Sequence, residues 1–468
     1  MAPIRRQKTF TSNPCSMPKG KYNKPMAHHP MISILRTLGF ALTVLLTLVT
    51  YAGAAGNYDY IDINNPMMKK IPIAIPDFKP LTGNSMESTI GGLGSREISD
   101  ALEFTGYFRS LDKGSFLVDV KQSDVAAPQF KAWTTAGAEF LITGAVMVNN
   151  NQLDLELRFF DTIQERLLLG KKYTGIVDDR RRMIKRFCSE IMKLLFGNAG
   201  LFESQIVFVS STGPGKKEIF TADFDGTSVK QITHNGSVNL SPALSSDGQY
   251  VAYTSYAGGK PDLYIQHIGS QKVTLVDQKG IGISPSWVPG KNELAAALSF
   301  SGDPDIYLLT INGKIINKIV DNPGIDISPS FSPDGRKIVF VSKRAGNPQL
   351  YIQDLGSGNV NRLTYDGNNN TQPEWSPKGD KIVYTALVKG LFQIMVIGAD
   401  GKGQTQLTYN GDNESPSWSP DGSMIVFSTT REGTSRIYVM TAYGTDQRKI
   451  VDLAGQQSEP KWSPSLAN

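Results

Sequence analysis

A chain of 468 residues exceeds one ordinary core and predicts two or three domains at about 150 residues each. With 40% hydrophobic and 19% charged residues it reads as globular, neither disordered nor polytopic. The net charge of +5 includes seven basic and no acidic residues in the first 54, so the remainder carries +5 less seven, or −2, and a nucleic-acid partner is set aside.

Residues 1–54 read as a signal-peptide region. The basic flank is followed by an apolar run, Leu38 to Thr50, shorter than the ~20 residues a membrane span requires. Small residues follow, with Ala52 and Ala54 at −3 and −1 and cleavage expected between Ala54 and Ala55. The flank is long, and Met26 or Met31 is an alternative start. Cys15 lies in this leader and Cys188 in a predicted helix, so the exported chain has no internal disulfide to form, and no cysteine follows the cleavage site to carry a lipid.

Residues 55–70 form an N-terminal arm without clear periodicity. Over 71–200 the signals alternate between strand and helix. IPIAIPDF (71–78) and FLVDV (116–120) read as strands. Ser85 to Phe104 has apolar residues at helical spacing and a glycine stop, and 128–138 reads as a short helix. FLITGAVM, LDLELRFF and LLLGKKYT read as three strands. Asp178 to Phe196 reads as an amphipathic helix whose opening arginines, Arg180, Arg181 and Arg182, are taken as a solvated face. The expectation is an α+β domain.

From 201 to 468 a period takes over. Pro242, Pro285, Pro329, Pro373, Pro416 and Pro460 recur at intervals of 43 or 44 residues. Each opens a strand, usually with an aromatic two positions on; a Gly-containing turn and a β-branched strand follow, then a tyrosine at +22 in four copies. Four short strands per unit is the signature of a propeller blade. The sixth copy has room for one strand only, and QIVFVS (205–210), EIFTAD (218–223) and VKQIT (229–233) supply the other three. The predicted fold is therefore an α+β N-terminal domain followed by an all-β six-bladed β-propeller, its last blade closed by N- and C-terminal strands. The aromatics at fixed positions are read as packing between blades.

Catalytic material is sparse. Only His234 and His267 lie beyond the leader, there is no G-x-S-x-G and no phosphate loop, and D-F-D-G at 223–226 is read as a hairpin turn rather than a calcium loop. No catalytic residue, metal or cofactor is assigned. What remains is a platform for a partner. Three residues before each anchor proline stand Asn239, Gly282, Asp326, Asn370, Asn413 and Gln457, and the five polar ones are the expected hydrogen-bonding ring at the funnel mouth; turn chemistry is the competing explanation.

The repeats, the order of parts and the stretches GYF (106–108), AGAEFLITGAV (136–146) and LLFGNAGLFESQIVFVS (194–210) together resemble the TolB family over residues 57–468. The resemblance implies a non-enzymatic periplasmic adaptor of the Tol-Pal envelope system, supporting outer-membrane integrity and constriction during cell division. By the same resemblance the propeller binds the lipoprotein Pal, and the arm, with Tyr58, Tyr60, Ile61 and Ile63, binds TolA. Two stretches depart from the family pattern: the helix RMIKRFCSEIMKLLFG lacks the expected histidine, and PGKNELAAA replaces a DG turn. The alternatives are a propeller that binds glycan or peptide ligands and a propeller-based lyase or hydrolase.

Overall fold

The computed structural model describes residues 70–117, 124–197, 200–276, 280–300 and 302–464. Chain contacts divide the protein into Met1–Asp62 and Ile63–Asn468. The expected cleavage site at Ala54 and Ala55 and the arm residues Tyr58, Tyr60, Ile61 and Ile63 lie outside the described residues.

The first layer is a mixed sheet. Strands β1 (Ile71–Ala74), β3 (Phe108–Ser110), β4 (Phe140–Asn149), β5 (Gln152–Asp161) and β6 (Arg166–Ile176) run in the order β3-β1-β4-β5-β6, and a two-residue β2 (Lys79–Pro80) also pairs with β4. Helices α1 (Ser85–Phe104) and α3 (Arg180–Phe196) contribute Ile90, Ile98, Leu102, Phe187 and Ile191 to a shared core with this sheet. Asn84 caps α1 by accepting from the Met86 amide, which satisfies one of the orphan donors of the first turn. Glycine sets the spacing of helix and sheet: a Cβ on Gly94 or on Gly144 would come within 2.9 Å and 2.6 Å of the Phe78 ring, so both are needed to clamp that buried side chain. Glu87 is fully buried. Burial works to raise its pKa, yet bonds from Val148 N (2.9 Å), Thr82 N (2.8 Å) and Thr82 Oγ1 (2.8 Å) outweigh it and hold the carboxyl below its usual range.

Two expectations for this layer are corrected. Phe116 and Leu117 are not strand; Lys113–Ser115 forms a 3₁₀ turn capped by Asp112, and Phe116 turns its ring edge-on to Trp133 at 5.0 Å in a satellite core beside α2 (Phe130–Thr135). The remainder of that predicted strand lies outside the described residues. The arginines that open α3 are not simply a solvated face. Arg180 makes a two-pronged pair with Glu97 (3.0 and 2.8 Å), Arg181 reaches Asp225 of the propeller at 2.7 Å, and Arg182 is the exposed one, its side chain 80% accessible.

The propeller has six four-stranded antiparallel sheets. Blade one runs Asn239–Leu244, Tyr250–Ser255, Asp262–His267 and Val273–Leu275, from the axis outward. The innermost strands of blades two to six begin at Gly282, Asp326, Asn370, Asn413 and Gln457. In blade six the C-terminal strand Gln457–Trp462 pairs with Gln205–Gly213, followed by Lys216–Asp223 and Lys230–Gln231, so the two ends of the propeller region close the ring. Trp287, Phe331, Trp375, Trp418 and Trp462 are all buried, and Trp287 Nε1 donates to the Ala243 carbonyl of the preceding blade at 2.9 Å.

Alternating strands put the first-to-second and third-to-fourth turns on one end of the propeller, and the second-to-third turns and blade-to-blade connections on the other. The α/β layer meets the first end at blades five and six. Lys185 pairs with Asp223 at 2.7 Å, Phe104 and Phe202 meet Phe224 edge-on at 5.1 and 5.2 Å, and the Arg448 guanidinium lies 4.5 Å from the Phe104 ring centre. One hydrophobic core runs from α1 and α3 through these rings into Met424, Val426, Ile437 and Trp462. The D-F-D-G turn sits in this seam. Gly226 has φ 82°, and a Cβ there would lie 1.8 Å from the Ile450 carbonyl oxygen, so only glycine fits.

Candidate functional site

Among the described residues of Ile63–Asn468 nothing caps the opposite end of the propeller, and its turns surround the axis. The five polar residues expected as a ring at this mouth are all buried. Asn239 donates to Lys217 O (2.9 Å), Glu218 Oε2 (3.1 Å) and Asn235 Oδ1 (2.8 Å). Asn370 donates to Gln349 Oε1 (2.9 Å) and Asp366 O (2.8 Å); Asn413 donates to Gln393 Oε1 (3.2 Å) and Gly411 O (3.0 Å). Gln457 donates to Leu453 O (2.9 Å) and accepts from Arg436 (3.0 Å), and Asp326 pairs with Arg344 at 3.2 Å. Four of the five therefore tie the connecting turn to the third strand of the preceding blade. This is a correction of placement: these four side chains clasp blade to blade inside the wall, because the turn carbonyls they satisfy would otherwise be buried without partners, while Asp326 pairs with Arg344 within blade three.

The residues that line the axis come two positions later. Ser241, Ser284, Ser328, Gln372, Ser415 and Glu459 stand immediately before the anchor prolines and line a throat of about 110 Å³ with them. All six have φ between 50° and 54°. A left-handed non-glycine residue is already unfavourable, and the following proline restricts it further, so each position stores on the order of 1 kcal/mol or more. In every blade the strand register shifts at this point, as between Leu240 and Ala243, which turns the residue out of the ladder. Two longer side chains bridge blades across the throat. Glu459 Oε2 accepts from Ser241 N (2.6 Å), and Gln372 Oε1 accepts from Ser415 N (2.9 Å). Burial pushes the Glu459 carboxyl above its usual range, although Ser241 counters it; Glu414 is also raised, first by burial and then by Asp412 and Glu459.

Around this throat the turns expose large side chains. Tyr365 (71% accessible) and Tyr409 (69%) project from the connections into blades four and five, and Tyr256, Phe300, Leu387 and Leu391 stand exposed at or beside the second-to-third turns of blades one, two and four. Tyr365 has the Arg362 guanidinium 4.9 Å from its ring centre. These residues sit where the repeat varies, and their sequence signal is aromatic or aliphatic character in a loop phase that elsewhere holds His234, Asp321 or Asp452. Exposed tyrosines beside a guanidinium are the composition of a protein-recognition surface. His234 and His267 lie in different blade segments; His267 Nδ1 accepts from Ser270 N (3.0 Å) in a local turn. Cys188 is buried, and burial pushes its thiol well up. Among the described residues no helix is long and apolar enough to cross a membrane.

Comparison with known proteins adds the following. Residues 192–466 match the family model described as the TolB beta propeller domain, and 59–168 match the TolB amino-terminal domain. The chain is 50% identical over 283 residues to a Tol-Pal system protein TolB of Desulfosudis oleivorans, covering 60% of this chain and 64% of that protein. It is 42% identical over 260 residues to a TolB homolog of Chlorobium luteolum, covering 56% and 59%. These alignments thus span about three-fifths of the relatives' own length. The crystal structure of TolB from Acinetobacter baumannii superposes with a TM-score of 0.74 over 85% of this chain and 97% of that one, at 24% identity, a likeness of fold.

Proposed function

The chain belongs to the TolB family, a non-enzymatic component of the Tol-Pal system, and from that premise we propose that it is a periplasmic adaptor which docks the lipoprotein Pal on the uncapped end of its propeller. The observation that carries this reading is the set of exposed aromatic and aliphatic residues around the throat, led by Tyr365 and Tyr409, on the end away from the α/β layer. Rings of this kind supply large contact area at low entropic cost, and truncating one at the centre of an interface costs about 2 kcal/mol or more. The buried clasp of Asn239, Asn370, Asn413 and Gln457, with the Asp326–Arg344 pair in blade three, acts indirectly in this reading, by fixing the turns that carry the contact residues.

The arm over residues 55–70, with Tyr58, Tyr60, Ile61 and Ile63, is the proposed TolA-binding segment, and export through cleavage between Ala54 and Ala55 places the protein between the two membranes. Support for outer-membrane integrity and for constriction at division follows from joining the two partners. Titration of the mature chain with purified Pal from the same organism tests the first half, and deletion of residues 55–70 tests the second. The reading expects a deletion variant that retains Pal and loses TolA; absence of Pal binding by the intact chain would overturn it.

A further inference from the structure

Blade two differs from blades three and five on the docking end. In blades three and five the residue fifteen positions after the anchor proline is arginine. The Arg344 guanidinium lies 4.9 Å from the ring centre of Tyr351 and 5.2 Å from Phe340, and pairs with Asp326; Arg431 lies 4.7 Å from Tyr438 and 5.4 Å from Phe427, and donates to Asn413 at 3.1 Å. The chain thus fills this place twice with its own guanidinium, stacked on the recurring tyrosine and the phenylalanine at +11.

In blade two the tyrosine is kept as Tyr307, but the arginine is replaced by Phe300, the phenylalanine at +11 by Ala296 and the residue that opens the innermost strand by Gly282. Side-chain volume and positive charge are both removed. A cavity of about 400 Å³ opens here, lined among others by Phe300, Asp303, Asp305, Tyr307, Lys318 and Asp321. Phe300 meets Tyr307 edge-on at 5.4 Å and is exposed. Lys318 reaches Asp305 (2.9 Å) and Asp321 (2.8 Å) and lies 5.8 Å from the Tyr307 ring centre, so this tyrosine too already faces a cation. The described lining residues carry three carboxylates, Asp303, Asp305 and Asp321, and one amine, Lys318, which pairs with the last two; this leaves a surplus of two negative charges beside an exposed aromatic wall.

We propose that the blade-two cavity is a socket for the guanidinium of an arginine side chain, carried on a basic segment of the protein that docks on this end. The carrier rests on the docking reading above; the chemistry rests on the two sister blades, where a guanidinium occupies the equivalent place. A planar cation suits the combination of aromatic face and carboxylates better than an ammonium, because it can stack and pair at once. In an open, solvated cavity the attraction is salt-dependent.

Saturation-transfer NMR on the mature chain with the blocked peptide acetyl-Ser-Gly-Arg-Gly-Ser-amide tests the socket, with lysine and citrulline versions as comparisons. Saturable transfer to the arginine methylenes is expected, at least fivefold weaker for the isosteric, uncharged citrulline peptide and intermediate for lysine. It should fall at least fivefold in Asp303→Asn/Asp321→Asn and in Phe300→Ala, with the thermal midpoint unchanged. Equal transfer to citrulline, or full transfer in both variants, overturns the socket. Pal titrated against the same variants separates the two claims. Weaker binding to Asp303→Asn/Asp321→Asn than to the intact chain supports the arginine carrier, and equal tight binding removes it while leaving the docking end in place. Failure of Pal to bind the intact chain removes the docking reading, and the peptide comparison still decides the socket.

Discussion

The two ends of the propeller use the same contact to different ends. At the capped end Arg448 lies over Phe104, a ring buried in the core shared with the α/β layer. At the uncapped end Arg362 lies over Tyr365, a ring 71% accessible. One guanidinium–aromatic pair is completed by a neighbouring domain and the other is open on one face. The difference teaches that composition alone does not mark a contact surface: the discriminating quantity is how much of the ring remains uncovered once the chain has satisfied itself.

Four variants test this contrast, in order of decreasing effect. Phe224→Ala removes the ring on which both Phe104 and Phe202 pack. It should cost about 3–5 kcal/mol in chemical denaturation, and separate unfolding of the α/β layer and the propeller should become visible. Asn413→Ala strips a buried residue that bonds two turn carbonyls, Gln393 and Arg431. A loss of about 1–3 kcal/mol is expected, read as a lower thermal midpoint, because these are clasp bonds rather than partner contacts.

Glu459→Gln should act in the other direction. The folded pKa of Glu459 lies above the usual 4.5, so the unfolded chain ionises first as pH rises. The stability this group contributes is full below 4.5 and is lost as pH climbs through the folded value. Glutamine can accept from Ser241 N as Gln372 does from Ser415 N. The variant should therefore be more stable than the parent by about 1 kcal/mol at pH 8 and show a flatter midpoint-versus-pH curve. Smallest of all, Tyr365→Ala/Tyr409→Ala should change stability by no more than about 0.5 kcal/mol, since both rings are largely in water.

Much of the architecture is legible in the sequence because the repeated positions are the core: a proline, in most copies an aromatic two residues on, and in four a tyrosine at +22 recur where one blade packs against the next. The strand ends of blade six are legible for the same reason. Other features depend on information that residue types do not carry. The left-handed ring at the throat is written as Ser, Gln or Glu before proline, with no glycine to announce positive φ. The polar residues at the mouth pointed outward by composition, whereas the turns fold their carbonyls over them. Arg181 looks like a surface charge until tertiary docking brings Asp225, 44 residues later, to 2.7 Å. Tyr365 and Tyr409 were within reach, but as departures from the period rather than as part of it.

The central claim is that the uncapped end receives the partner, and titration of Pal against two matched variants tests it most directly. Tyr365→Ala/Tyr409→Ala alters the uncapped end, and Arg182→Ala alters an exposed residue on the helix of the α/β layer. The account predicts at least a thirtyfold rise in Kd for the first, equivalent to about 2 kcal/mol, and an unchanged Kd for the second, both with parental thermal midpoints. Parental affinity in the tyrosine variant, or weakening confined to Arg182→Ala, would contradict it.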